Sequence, residues 1–255
     1  MDKTTIEALC DVLEGRAEFY LTLAGYYYKP LTQQQIDALA ETDFEALLDD
    51  SLMGEGFDDM RRVLRKRHTG TRRILATEWT STFGGAEAYQ GRYCVPNASV
   101  FLDKSGSTYG WPRNAASRTY REQHLRLADN AGMPESHLTF ELEFLAVLSR
   151  EIIVCVRAGE LDEALAKVQE SRRFIDESVL SWFPEMQSLA LLMLKTRFYR
   201  GVMKLTEGYL TLDRETLDDL AAVLREAGAR AGEAGEPCVD VQAQAQAQAG
   251  EAVAA

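Results

Sequence analysis

The stretch "GMPESHLTFELEFLAVL", residues 132–148, decides the fold class. Leu138, Leu142, Leu145 and, further on, Ile152 recur at spacings of four, three and seven, which sets them on one stripe of an α-helix. The pattern predicts a helix over 134–157, with Pro134 in its first turn, where the missing N–H is no loss. His137 and Glu141 stand four residues apart and share a face, with Phe140 and Phe144 on the same side. That places the pair at the margin of the buried stripe, near the helix start. Two readings follow: a histidine held by hydrogen bonds within the fold, or the polar rim of an apolar groove that receives a peptide.

The same helical period extends outward from this segment. Residues 5–28 place Ile6, Leu9, Val12, Leu13, Phe19, Leu23 and Tyr27 at spacings of three and four or their sums. "KPL" at 29–31 ends that helix, because the residue before Pro30 is disfavoured in the helical region. Thr32 is then the expected cap of a second helix through Ala40. Beyond the central segment, helices are expected over 160–177, 184–208 and 213–230. "GELDEALAKVQ" (159–169) resembles half of a tetratricopeptide repeat, but no second copy follows at the repeat period, which excludes a repeat scaffold.

Charge is segregated along the chain. Residues 41–60 carry eight acids and no bases, and residues 61–76 carry seven bases and no acids. Helix surfaces that partly neutralise each other explain this better than a phosphate site, since no glycine-rich loop accompanies the bases. Residues 84–118 are rich in Gly, Pro, Ser and aromatics and are expected to form a long loop. Its aromatic residues, Tyr89, Tyr93, Phe101, Tyr109 and Trp111, argue for an ordered loop that packs on something. It divides an N-terminal group of helices (1–83) from a C-terminal group (119–232). The tail, 233–255, is low in complexity and expected to stay disordered.

Composition closes off several classes of function. The formal charge is −12, which argues against a nucleic-acid surface. No run of 18 apolar residues and no signal peptide is evident, so no membrane insertion is expected. Four scattered cysteines form no CxxC, which excludes zinc and redox motifs and leaves reduced thiols in the cytoplasm as the default. His68 and His124, the other histidines, lack metal-ligand spacing. Without GxSxG or a comparable signature, His137 has no nucleophile to activate. No catalytic residue, metal or cofactor is expected, and a small metal- or nucleotide-dependent enzyme is only a remote alternative.

Read in order, the segments resemble the TorD/DmsD/NarJ-like chaperones of molybdoenzymes, the redox-enzyme maturation proteins. The family motif is roughly Glu-Pro-x-Asp-His-Leu-x-x-Glu-Leu. Here it stands as Met133, Pro134, Glu135, Ser136, His137, Leu138, Thr139, Phe140, Glu141, Leu142. "RAEFYLTLAGYYYKPLT" (16–32), "EWTSTFGG" (78–85), "VPNASVFLDKSGSTYGWP" (95–112) and "SWFPEMQSLALLMLKTRFYRGVMKLTEGYL" (181–210) are similar to other family segments in the same order.

The resemblance implies an all-α, TorD-like single domain over 1–232, with about ten helices. It implies a cytoplasmic chaperone that binds the twin-arginine leader, the apo form, or both, of a molybdopterin oxidoreductase of the DMSO/TMAO reductase type. Such a chaperone assists cofactor insertion and proofreads before export. The client-binding residues carried over are Ser136, His137, Glu141, Glu135 and Phe140, with Trp79, Phe83, Pro96, Ser99, Phe101 and Gly110. Met133 and Ser136 replace acids of the family motif, so Glu141 or Glu135 would have to take the guanidinium contact. Loss of that acid also opens an alternative, an assembly factor that binds the enzyme body without a leader. The family's weak guanine-nucleotide binding finds no P-loop here, and the long loop leaves monomer and domain-swapped dimer both open.

Overall fold

A computed structural model describes residues 1–49, 51–103, 109–127 and 132–235. Among them are ten α-helices and one two-stranded hairpin, so the chain is all-α. The N-terminal helices are α1 (Lys3–Tyr28), α2 (Gln33–Ala40), α3 (Leu52–Arg65) and α4 (Thr71–Thr82), with a 3-10 turn at Phe44–Leu47. Lys29 is extended, as a residue before proline must be, and ends α1. Thr32 and Gln35 form a reciprocal capping box that starts α2. Val12 departs from its expected stripe and stands exposed.

The acid and base runs neutralise each other. Glu45 takes both Arg61 and Arg65 (2.6 Å each), Asp58 takes Arg61 and Arg62 (2.5 Å each), and Glu41 meets Arg67 at 3.6 Å. The solvated-face reading of the two runs therefore holds.

The long-loop expectation needs correction. Residues 84–118 contain the hairpin β1–β2 (Ala88–Tyr89, Arg92–Tyr93), helix α5 (Ala98–Leu102) and the start of α6 (Trp111–Glu122). Asn97 caps α5 by accepting from the Ser99 N–H (2.9 Å), and Pro112 sits in the first turn of α6. Of the five aromatics, only Phe101 packs inward; Tyr89, Tyr93, Tyr109 and Trp111 are exposed.

Helix α7 spans Leu138–Ala158 and closes on Gly159, whose φ of 78° provides the left-handed cap. Its cap is His137, so Pro134 lies in the turn before the helix and not in its first turn. Helix α8 (Leu161–Phe174) continues into a single π turn at Ile175–Val179. The segment expected to be one helix over 184–208 is divided into α9 (Phe183–Met193) and α10 (Arg197–Gly235). Buried Glu78, from α4, makes this break: its carboxylate accepts from the backbone N–H groups of Lys195 and Thr196 and from the Thr196 hydroxyl. Conversely, α10 runs unbroken through 208–213, where a gap was expected, and reaches into the segment assigned to the tail. Residues 236–255 of that tail lie outside the described residues.

The two groups of helices are packed into one core: α1 lies on α7, and α3 crosses α10. The second crossing is glycine on glycine. A Cβ on Gly201 would fall 2.6 Å from the Gly56 carbonyl oxygen, and one on Gly56 would fall 2.8 Å from the Gly201 carbonyl oxygen. Gly201→Ala is therefore expected to cost ~1–3 kcal/mol by overpacking. Gly228→Ala, on the same helix with nothing within 4 Å of its added methyl, should stabilise by up to ~1 kcal/mol. Urea midpoints of the two variants check the contrast.

Candidate functional site

The motif is strapped down by the segment that follows the hairpin. Asn97 and His137 form an isolated antiparallel bridge, with the Ala98 N–H donating to Ser136 O and the Leu138 N–H to Pro96 O, both at 2.9 Å. Pro96 uses only its carbonyl there, so its missing N–H is no loss. Ser136 is fully buried. Its hydroxyl donates to Asn97 Oδ1 (3.0 Å) and accepts from the Ser99 hydroxyl (3.1 Å). The position where the family motif carries an acid is thus interior, beside an Asn97 side-chain nitrogen that lacks a partner among the described residues.

His137 and Glu141 are 4% and 3% exposed, so neither stands at a rim. His137 Nδ1 accepts from the Thr139 N–H (3.3 Å), and Thr139 in turn donates to Ala24 O of α1 (3.2 Å). Burial lowers the imidazole pKa to about 4, so the ring is a neutral acceptor, as a cap requires. Glu141 accepts from Trp182 Nε1 (3.2 Å), and burial pushes its carboxyl up to about 8 despite that hydrogen bond. A carboxyl held neutral is a poor partner for an arginine. Trp182, which the residue-level reading of the motif missed, also stacks on Phe101 (5.6 Å between centroids, 21° between planes). Its signal was the "WFP" that opens α9.

The other expected residues divide between core and surface. Phe140 packs edge-on to His137. Phe83 is buried between Tyr27 and Tyr199, and half-buried Trp79 donates to Tyr26 O (3.0 Å), so both belong to the α1–α4–α10 core. Phe101 is half-buried, and Gly110 caps α6 against Asp103, whose carboxylate a Cβ would strike.

Glu135 is the motif acid that reaches the surface. Arg113, from α6, grips it with Nε–Oε2 at 2.6 Å and Nη2–Oε1 at 3.4 Å. The guanidinium also lies over the Tyr109 ring, 5.1 Å from its centroid. Partial burial would raise the Glu135 pKa, but the hydrogen bond and charge of Arg113, a backbone hydrogen bond and the charge of Arg121 together outweigh it and hold the carboxyl below its usual range. The same carboxylate raises the Arg113 pKa. Tyr109, under the guanidinium, and Trp111, at the start of α6, are 66% and 60% exposed. Exposed aromatics beside a carboxylate are what a polypeptide-binding surface uses. Arg113, Tyr109 and Trp111 were legible only as an unusual density of aromatics in a glycine- and proline-rich segment.

Among the described residues, no group of three or more His, Cys, Asp or Glu is placed to hold a metal, and no helix is long and apolar enough to cross a membrane. Cys10, Cys94 and Cys155 are buried free thiols, and burial pushes Cys94 up to about 12. Fold and site together define an all-helical protein that presents exposed aromatic side chains and a carboxylate paired with an arginine.

Comparison with known proteins places that class in a family. The model described as "Nitrate reductase delta subunit" matches residues 33–188, and the chain belongs to this family. It is similar to proteins named "Chaperone protein TorD". That of Vibrio vulnificus (strain YJ016) is 25% identical over 215 residues, covering 80% of this chain and 95% of that protein. That of Vibrio cholerae serotype O1 (El Tor Inaba N16961) is 24% identical, covering 81% and 94%. That of Aliivibrio fischeri (strain ES114) is 25% identical, covering 78% and 93%. The family and these relatives are chaperones, not enzymes, which upholds the resemblance drawn from the motif.

Proposed function

We propose that this protein is a cytoplasmic chaperone that binds the twin-arginine leader of a molybdopterin oxidoreductase of the DMSO/TMAO reductase type, together with its apo form. It holds the client until the cofactor is inserted, proofreads it, and then releases it for export. The chaperone unit is residues 1–232. Membership in the family and the relatives' names support the chaperone reading. The observation that carries the leader reading is the Glu135 surface, where the chain's own Arg113 is already held as a guanidinium would be. Arginine and carboxylate pair through two directional, charge-assisted hydrogen bonds, which lysine cannot copy.

On this reading a leader arginine exchanges with Arg113 at Glu135 and Tyr109, and the leader's apolar stretch lies along Trp111 toward Phe101 and Gly110. Ser136, His137, Glu141, Pro96 and Ser99 position that surface from within. Phe140, Phe83 and Trp79 support it as core.

Calorimetric titration with a synthetic twin-arginine leader peptide tests the exchange. Glu135→Gln should weaken binding at least about tenfold, by removing a charge-assisted partner. Arg113→Ala should strengthen it several-fold, because the leader no longer competes with an internal arginine. A peptide with both arginines changed to lysine should bind as weakly to wild type as the leader does to Glu135→Gln. If wild type and both variants bind the leader equally, this surface is not its site. Retained capture of an apoenzyme whose leader has been deleted would instead favour an assembly factor for the enzyme body.

A further inference from the structure

A second surface lies between the start of α3 and the middle of α10. The cavity there encloses about 600 Å³ and has an apolar floor of Leu48, Leu52, Met53 and Phe57. Leu47 and Leu212 stand at its edges, 39% and 47% exposed. Exposed leucines that line one groove are costly to leave in water, and such patches mark interaction sites.

The charge on this groove is of one sign. Asp49, Glu207 and Glu215 line it, and among the described residues no lysine or arginine does. The cations that flank it along α10 are already paired, Lys204 with Glu55 and Asp59, and Arg214 with Asp176. Asp49 is engaged by Ser51, and Glu207 accepts from Gln187 Nε2 (2.6 Å). The acidic side chains line an apolar cleft, whose low-dielectric walls focus negative potential.

We infer that this groove is a docking surface for a partner polypeptide segment that presents a large aliphatic side chain flanked by arginine or lysine. The aliphatic group fills the space between Leu47 and Leu212, and the cations meet Glu215 and Glu207. The chain's own C-terminal segment does not match: residues 236–255 carry Glu236, Asp240 and Glu251 and no lysine or arginine. A second copy that presented the same acidic groove would be repelled by like charge. The inference is independent of the leader reading, because none of these residues belongs to the Glu135 surface.

The test uses the full chain and a fluorescein-labelled amphipathic peptide built of leucine and lysine, whose ammonium groups cannot form the paired hydrogen bonds of the Glu135 surface, followed by fluorescence anisotropy. Wild type is expected to bind it, and Leu212→Ser and Glu215→Lys each to weaken binding by roughly fivefold or more. Glu135→Gln should leave the affinity unchanged, and amide exchange should slow at 47–53 and 207–215 on binding. Leu212 is half-exposed and Glu215 lies on the outer face of α10, so both variants should fold, which thermal melts verify. Four results would each overturn the inference. They are unchanged affinity in both groove variants, equal binding of a leucine–glutamate peptide, loss of binding in Glu135→Gln, and a concentration-dependent dimer that Leu212→Ser dissolves. The last would assign the groove to a second copy of the chain.

Discussion

Asp213→Ala is expected to destabilise the protein by about 3–5 kcal/mol, the cost of leaving a buried charge without its partner. Arg16 and Asp213 come from α1 and α10 and are 3% and 1% exposed. Nε and Nη2 of the arginine grip the two carboxylate oxygens at 2.7 and 3.0 Å. The Tyr20 hydroxyl donates to the same carboxylate (2.6 Å), and Arg16 Nη1 reaches Leu145 O (3.1 Å) and Ser149 Oγ (2.5 Å) on α7. Burial alone would lower the Arg16 pKa, but Asp213 outweighs it and the pKa ends above its usual value. Removing Asp213 therefore strands a guanidinium among three helices and leaves the Tyr20 hydroxyl unpaired.

The measurement is the urea midpoint at unchanged slope. A double variant, Arg16→Met with Asp213→Leu, should recover much of the loss, because both charges leave the core together. Loss below ~1 kcal/mol for Asp213→Ala would mean that water reaches the pair in solution.

Glu141→Gln should abolish a steep pH dependence of stability. The folded carboxyl is raised to about 8 from 4.5, so below pH 4.5 it is protonated in both states. Between those values the unfolded chain ionises first and stability falls as pH rises, by an amount on the order of 3–5 kcal/mol in all. Glutamine keeps an oxygen for Trp182 Nε1 and cannot ionise, so the variant should exceed wild type by a margin that widens from pH 5 to pH 8.

His137 works in the opposite sense. Its folded pKa is lowered from 6.5 to about 4, so its contribution is complete above 6.5 and lost as pH falls toward 4. His137→Asn keeps a side-chain acceptor for the Thr139 N–H and should flatten that acid limb alone. From 6.5 to 8 the decline belongs to Glu141. Urea midpoints at pH 5, 6.5 and 8 separate the two. Parallel profiles for wild type and Glu141→Gln would show that the carboxyl is ionised in the folded protein.

Both groups show where local reading stops. The spacing of His137 and Glu141 puts both on one helix face, but the structure makes His137 the cap that precedes the helix and buries both side chains. Spacing carries no information on what covers that face. Residues 96–98 bridge 136–138, and Trp182 closes over Glu141, so a margin in sequence became interior in space. The client surface proposed above is accordingly at Glu135, whose partner Arg113 lies 22 residues away.

By itself the sequence determined the all-helical class, the end of α1 at Pro30, the capped start of α2 at Thr32, the mutual neutralisation of the two charge runs, and the family. These depend on periodicity, on backbone restrictions of single residues, and on pairs close in the chain. Tertiary structure alone decided that α9 and α10 part at 194–196, that α10 runs through 208–213, and that Ser136, His137 and Glu141 of the motif face inward. Each of these rests on a partner distant in the chain, such as Glu78 accepting from Lys195 and Thr196. A buried hydrogen bond gains its strength from the packing that excludes water around it, and that packing exists only once the helices have met.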